Sequence, residues 1–211
     1  VTGPAVPVVD DLLTEPLDGL APYAVSDNGT LVYIQGRPMP YQREVLLFNR
    51  RGEPIPSRVP AGAYTDLRMS PSGDALALSV YAANVQTWMY DLRREALERL
   101  TDTWSSEGPV WSHDGTRIAH QSTRGGEPHV YVSGVRERSS ETRLASSRLF
   151  RVPMSFSSDD AYVIVSDGAD LFRLRSDRPA DKEVLVATRA VERSPAASPD
   201  GRWLAFVADD T

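Results

Sequence analysis

Three histidines, three pairs of adjacent aspartates and a scatter of serines are the residues of this chain that could do chemistry. His113 lies in "WSHDG", where a ligand or an acid–base residue on an exposed turn would sit. An ordinary exposed turn residue is the reading preferred over it. His120 stands in a column that is otherwise apolar, and such a histidine reads as a hydrogen-bonded core residue ahead of a catalytic one. His129 opens a strand-like stretch and reads as strand surface. Three histidines without cysteine give no metal-ligand spacing. Asp10–Asp11, Asp159–Asp160 and Asp209–Asp210 raise the question of calcium. No Asp-x-Asp-x-Asp run accompanies them, so solvated turn carboxylates are expected. No Gly-x-Ser-x-Gly elbow presents a hydrolase nucleophile. "STRGGEP" reads as a hairpin loop rather than a phosphate-binding one, and kinase motifs are missing. No catalytic residue, metal or cofactor is expected from this chain.

The elements that would position these residues are set by a repeat. "SDNGTLVYI", "SPSGDALAL", "SHDGTRIAH", "SSDDAYVIV" and "SPDGRWLAF" begin at Ser26, Ser70, Ser112, Ser157 and Ser198. The serines are separated by 44, 42, 45 and 41 residues. The third position holds Asn28, Ser72, Asp114, Asp159 or Asp200, short polar side chains able to bond back to a turn backbone. The fourth holds Gly29, Gly73, Gly115 and Gly201, which supply the positive φ of a tight hairpin turn. Asp160 fills that slot in the fourth copy and tolerates the same conformation better than most residues. These ten residues are the expected structural turn motif. After each turn Val32, Leu76, Ile118, Val163 and Leu204 form one apolar column. Beside it run Tyr33, Ala77, Ala119, Ile164 and Ala205.

Each unit then reads as one short strand before the serine and three after it, joined by Gly, Asp or Asn turns. Four strands per 40–45 residues is the signature of a β-propeller blade. The expected fold is all-β: four-stranded antiparallel blades at 21–65, 66–108, 109–151 and 152–193, with a partial blade at 194–211. Residues 5–13 read as the outer strand of an earlier blade, which makes both ends partial. "DLRREALERL", 91–100, has helical spacing and composition. Its place in the repeat is that of a hairpin and an outer strand, and register overrules the local pattern.

"PVWSHDGTRIAHQSTRGGEPHVYV" and "PAASPDGRWLAFVADD" resemble the WD-like repeats of TolB-type bacterial propellers, over nearly the whole chain from Ala21 to Asp210. The opening, "PVVDDLLTEPLDGLAPYAVSDNGTLVYI", is most similar to propellers that follow bacterial serine/threonine kinase domains. Similar repeats occur in the periplasmic Tol-system propeller and in the gating propellers of prolyl-oligopeptidase-type peptidases. The resemblance implies a periplasmic or extracytoplasmic setting. It also implies a non-catalytic domain that binds or scaffolds a protein or peptide, as a sensor or interaction part of a larger bacterial protein. The alternative it implies is a substrate-gating propeller whose peptidase domain lies elsewhere. Closed rings of this kind usually have six or more blades, roughly 260 residues at this period. A piece of a larger propeller or an incomplete ring is therefore expected, with sheet faces that another copy or further blades would cover.

The remaining residue classes narrow the partners. A net charge of −6 argues against a nucleic-acid groove. No stretch holds the roughly 18 uninterrupted apolar residues of a membrane span, and "VTGPAVPVVDD" lacks the regions of a signal peptide. Hydrophobic residues make up 41%, enough for a buried core. The absence of cysteine removes disulfides and thiolate chemistry and decides nothing about compartment. Met39, Tyr41, Tyr81, Trp104 and His113 are the candidate contact residues, because aromatics on longer loops often anchor partners, with packing between blades the competing and preferred reading for the aromatics. Trp88 and Trp203, inside strands, are expected in the core.

Overall fold

The computed structural model describes residues 22–35, 42–81, 84–101, 105–124, 126–137, 141–146, 152–179 and 182–209. The outer-strand reading of 5–13 lies outside them. The first blade consists of β1 (Tyr23–Val25), β2 (Leu31–Gln35), β3 (Glu44–Phe48) and β4 (Pro54–Ile55). The second has β5 (Tyr64–Met69), β6 (Ala75–Tyr81), β7 (Val85–Asp91) and β8 (Ala96–Arg99). The third has β9 (Ser106–Trp111), β10 (Arg117–Ser122), β11 (His129–Gly134) and β12 (Glu141–Ser146). The fourth has β13 (Val152–Phe156), β14 (Tyr162–Ser166), β15 (Leu171–Arg175) and β16 (Glu183–Val186). β17 (Glu192–Ala197) and β18 (Leu204–Ala208) form a two-stranded sheet. Each blade is a sequential antiparallel meander, and no helix occurs among the described residues. Residues 91–100 form a turn and strand β8, as register requires. β5, β9 and β17 begin two or three residues ahead of the unit boundaries drawn on the serine repeat.

The first strand of each sheet packs against the first strand of the next, in the order β1, β5, β9, β13, β17. The sheets therefore face one another, and the second strands of the four blades are largely buried, whereas β18 is exposed. Val32, Tyr33 and Ile34 are consecutively buried, as are Leu76, Ala77 and Leu78. Strands buried on both faces lose polar–apolar alternation. The face between blades one and two is apolar: Val32, Ile34, Val45 and Leu47 meet Tyr64, Leu67, Leu76, Leu78 and Tyr90. Between blades three and four, Val130, Val132 and Leu144 meet Phe156, Val163, Phe172 and Leu174. Burying one such aliphatic or aromatic side chain contributes about 1.5–3 kcal/mol, so these two faces dominate the core.

The repeated serine fixes the turn that starts each second strand. Ser112 Oγ donates to Asp114 Oδ1 at 2.6 Å and accepts from Arg117 N–H at 3.0 Å. Gly115 N–H closes the turn on the Ser112 carbonyl at 3.0 Å. Ser157 with Asp159, and Ser198 with Asp200, repeat the pattern at 2.6 Å each. Ser26 makes the same bond to Asn28. In the second blade Ser72 replaces the acid, and the acid is supplied two residues later. Asp74 accepts from both Ser70 and Ser72, and Ser70 Oγ still accepts from Ala75 N–H at 3.0 Å. The glycines of the turn have positive φ, 68° at Gly115 and 69° at Gly201.

The bonds hold the turn carboxyls below their ordinary range. At Asp159 and Asp200 the serine hydroxyl is the main cause, followed by a backbone N–H; at Asp74 it is the Ser72 hydroxyl. At Asp114 burial pushes upward, and the bonds from Ser112 and Thr116 outweigh it. A depressed folded-state value means that the turns contribute stability above the ordinary aspartate value of 3.8 and lose it as pH falls through the depressed values. Ser112→Ala should cost about 1–3 kcal/mol, seen at pH 7 as a lower urea midpoint. The gap between variant and parent should narrow as pH drops below that value.

Candidate functional site

Three places gather polar side chains: the ring of serine turns, the first strands of the blades, and the face between blades two and three. In the ring, neighbouring turns touch. Asn28 Nδ2 donates to the Ser72 carbonyl at 3.5 Å, and a Cβ on Gly73 would press on the Asn28 side chain. The strongest link comes from Asp160, the residue in the glycine slot. Its φ is 56°, so it takes the left-handed conformation. Its carboxylate accepts the His113 N–H at 2.7 Å and the Asp114 N–H at 2.9 Å, both from the preceding blade. His113 Nδ1 lies 3.1 Å from the same carboxylate. Arg117 and Ser176 donate to the Asp160 carbonyl at 3.0 and 2.5 Å. The departure from the motif is thus an inter-blade clamp, with His113 half-buried inside it.

On the first strands, pairing with the second strand slips at matching points: at Tyr64–Asp66, Glu107–Val110, Pro153–Ser155 and Arg193–Ala196. Bulges of this kind re-aim side chains. Asp66 and Glu107 flank two of them on neighbouring strands. Burial raises both carboxyls; Arg68 opposes this at Asp66, and the negative charge of Asp66 adds to it at Glu107. Among the described residues no group of three or more His, Cys, Asp or Glu is placed to share a metal ion.

The face between blades two and three is divided. One part is apolar, with Ala77, Trp111 and Ile118 packed on Met89, Leu100 and Val135. The other part is a chain of buried polar groups. Thr87 Oγ1 lies 3.0 Å from Ser106 Oγ, which lies 2.9 Å from His120 Nδ1. His120 Nε2 lies 3.1 Å from Ser133 Oγ and 3.4 Å from Glu141 Oε1. Ser133 Oγ donates to Glu141 at 3.2 Å, and Arg124 pairs with the other oxygen. The bond from His120 is the main reason the Glu141 carboxyl sits below its ordinary range; the nearby charges of His120 and Arg124 add to it. Serine, histidine and glutamate in a row have the composition of an acyl-transfer triad. Ser106 is only 1% exposed, however, and its hydroxyl is already shared between Thr87 and His120. The chain fastens two blades.

Tyr81 and His113 do not come together. β6 starts at its serine turn and ends at Tyr81, whereas His113 lies in the equivalent turn of the next blade. They occupy opposite ends of the strands, and Tyr81 is exposed. Met39, Tyr41 and Trp104 lie outside the described residues. His129 is buried rather than strand surface, because β11 runs between β10 and β12 and Tyr131 packs edge-on beside its ring. Burial holds the imidazole below its ordinary value, and the charge of Arg143 adds to this. Trp203 is 70% exposed, not core. It occupies the register slot of Arg117 and Tyr162, a position fully buried in none of the blades.

Blades of four antiparallel strands, ordered around their first strands and locked by a repeated Ser–Asp turn, define a β-propeller. Residues 60–211, well over half of the chain, match the TolB beta propeller domain family, and the chain belongs to that family. Among solved structures it is similar to a protein from Agrobacterium tumefaciens described as TolB, with TM-score 0.74 and 19% identity. That match covers 90% of this chain and 69% of the other. TolB from Acinetobacter baumannii matches with TM-score 0.66 and 19% identity, over 87% of this chain and 47% of that one. A prolyl endopeptidase matches with TM-score 0.60 and 17% identity, over 89% and 31%. The likenesses to these structures establish the fold.

The Asp160 clamp makes a measurable trade. Asp160→Gly relieves a left-handed conformation worth about 1–3 kcal/mol but removes two charge-assisted bonds of about 1.5–3 kcal/mol each. Net destabilisation is expected, with a lower urea midpoint. Asp160→Ala, which loses the bonds and keeps the strained φ, should be less stable still.

Proposed function

We propose that this domain is a non-catalytic binding propeller that presents short, rigid loops to a protein or peptide. The observation that carries this reading is the commitment of its chemistry-bearing residues to the fold. His120 is held by Ser106 and Ser133, and the turn aspartates are held by their serines. What remains for function is the display of loops at the two ends of a rigid set of blades, the usual place for contacts on a fixed scaffold. Membership of the TolB propeller family supports a binding or scaffolding role at this level. A sensor or interaction part within a larger bacterial protein is the finer form of the reading. Tyr81 on one face and His113 on the other are the described residues proposed to meet partners.

The rival, a gating propeller for a peptidase, has the weaker likeness to the prolyl endopeptidase in its favour. Selection of displayed random peptides on the immobilised domain, followed by calorimetric titration, tests the proposal. Enrichment of a consensus that binds one to one is expected, with binding weakened by Tyr81→Ala or by His113→Ala according to the face used. Failure to enrich any sequence over a matched unrelated scaffold would overturn it.

A further inference from the structure

His120 is 2% exposed, and both of its ring nitrogens meet polar groups. The direction of donation is fixed at one end of its chain. Ser133 Oγ gives its hydrogen to Glu141, so the Ser133 and Glu141 oxygens both face Nε2 as acceptors. Nε2 therefore carries a hydrogen whether the ring is neutral or charged. The other end is free to reverse. Ser106 Oγ can donate to Nδ1 or accept from it, and the same choice exists between Ser106 and Thr87. In the neutral ring, Thr87 donates to Ser106 and Ser106 donates to Nδ1. In the charged ring, Nδ1 donates to Ser106, Ser106 donates to Thr87, and Thr87 turns to the Ser106 carbonyl at 3.4 Å. One added proton is thus accommodated by rotating two hydroxyls, and no group in the chain loses its partner.

A buried charge also needs a counter-charge. Glu141 supplies it from β12, at 3.4 Å from Nε2. Arg124 pairs with its other oxygen, and Arg143 stands two residues along the same face of β12. From β11, Tyr131 stacks on the ring and His129 packs edge-on beyond it. Burial pushes the Tyr131 hydroxyl up and the His129 imidazole down, so both resist ionisation near neutral pH. Glu107, beside Ser106 on β9, pairs with Gln121 on the opposite face of β10. Across the joint, β6 brings no acidic or basic residue. Asp91 of β7 accepts the Arg93 and Arg94 N–H groups. Glu98 of β8 lies opposite Met89, on the face turned toward blade three, whereas Arg99 lies opposite Trp88 on the other face. A pocket of about 700 Å³ separates the walls, with His120, Glu141 and Arg124 on one side and Thr87 and Glu98 on the other. Glu141 and Arg124 cancel. Blade three's wall is neutral with His120 neutral, and singly positive with His120 protonated.

We propose that His120 is a proton-binding site that tightens the joint between blades two and three on mild acidification. The proton comes from solvent through the pocket and binds Nδ1. Ser106 then donates to Thr87, and the cross-blade bond becomes the outer link of a charge-assisted chain. The same charge attracts Glu98 across the pocket. Imidazole is the side chain whose charge ordinarily changes between pH 5 and 8. A histidine that gains a carboxylate partner on folding adds stability that is present at low pH and lost as pH rises through the imidazole range. Glu141 sets the lower limit: its bond from His120 holds its carboxyl below the ordinary 4.5, and the pair is lost as pH falls through that depressed value. The joint is therefore firmest in mild acid.

Ring nitrogen spectra and hydrogen exchange of the full chain test this. At pH 8 His120 should be neutral with its hydrogen on Nε2, and at pH 5.5 it should carry hydrogens on both nitrogens. The Leu100 and Thr101 amides of blade two bond the Thr87 carbonyl. Their exchange, corrected for intrinsic rates, should slow about fivefold between pH 8 and pH 5.5, the difference between a neutral and a charge-assisted bond. The Ile34 amide of blade one should show no such change. His120→Gln keeps a donor toward Ser133 and cannot titrate, so it should abolish the effect at Leu100 and Thr101. Glu141→Gln keeps the shape and removes the counter-charge; it should lower the pH at which the ring charges by about 1. A ring still neutral at pH 5.5, a neutral ring with its hydrogen on Nδ1, equal slowing at Ile34, persistence of the effect in His120→Gln, or unchanged charging of the ring in Glu141→Gln would overturn the proposal.

Discussion

A single hydroxyl organises each blade. The serine before the second strand donates to a carboxylate or amide oxygen two to four residues on and accepts a backbone N–H at the start of the strand. The turn is thereby closed from inside, and the apolar column that follows enters the core in fixed register. A slip of one residue would send Val32, Leu76, Ile118 and Val163 to the opposite face. Both sides of these strands are covered, so the chain depends on the turn as well as on hydrophobic patterning for its register. The second blade shows that the requirement is chemical rather than positional. With Ser72 in the acid's place, Asp74 takes over the acceptor role from two residues further along.

The turns also join the blades into one body. Asp160 does locally what the other turns do without: it accepts two backbone N–H groups from the preceding blade. Its left-handed backbone is the cost of putting a carboxylate where the motif has glycine. The turn ring and the inter-blade faces therefore act in parallel. Polar contacts fix the ends of the strands, and side-chain packing fixes their middles.

Much of the fold was legible in the sequence because the repeat is periodic and its physics local. Five serine turns gave the unit, and the unit gave four strands, including β8, where composition alone favoured a helix. Most interactions between blades were hidden, because they join residues about one repeat apart. The Asp160 clamp links positions 47 residues apart in one of its bonds. The only sign of it was an acid in a glycine slot. The partnership of Ser106, His120 and Glu141 had a weaker sign, a histidine in an apolar column. The bulges in the first strands left no pattern, because a two-residue period cannot report an inserted residue. Trp203 lies at the surface because register, not hydrophobicity, sets its exposure, and its slot holds Arg117 and Tyr162 in other blades.

The unequal faces between blades give the array a preferred line of parting. In a chain of modules held by nearest-neighbour contacts, cooperativity is only as strong as its weakest coupling. Apolar packing joins blade one to blade two and blade three to blade four. The middle coupling is part polar, with a pocket where the apolar contact ends. Opening there exposes groups that water can satisfy, whereas opening at the other faces exposes hydrocarbon. The molecule is thus built as two stiff halves with a softer joint, and slow fluctuations of the native state should concentrate along it.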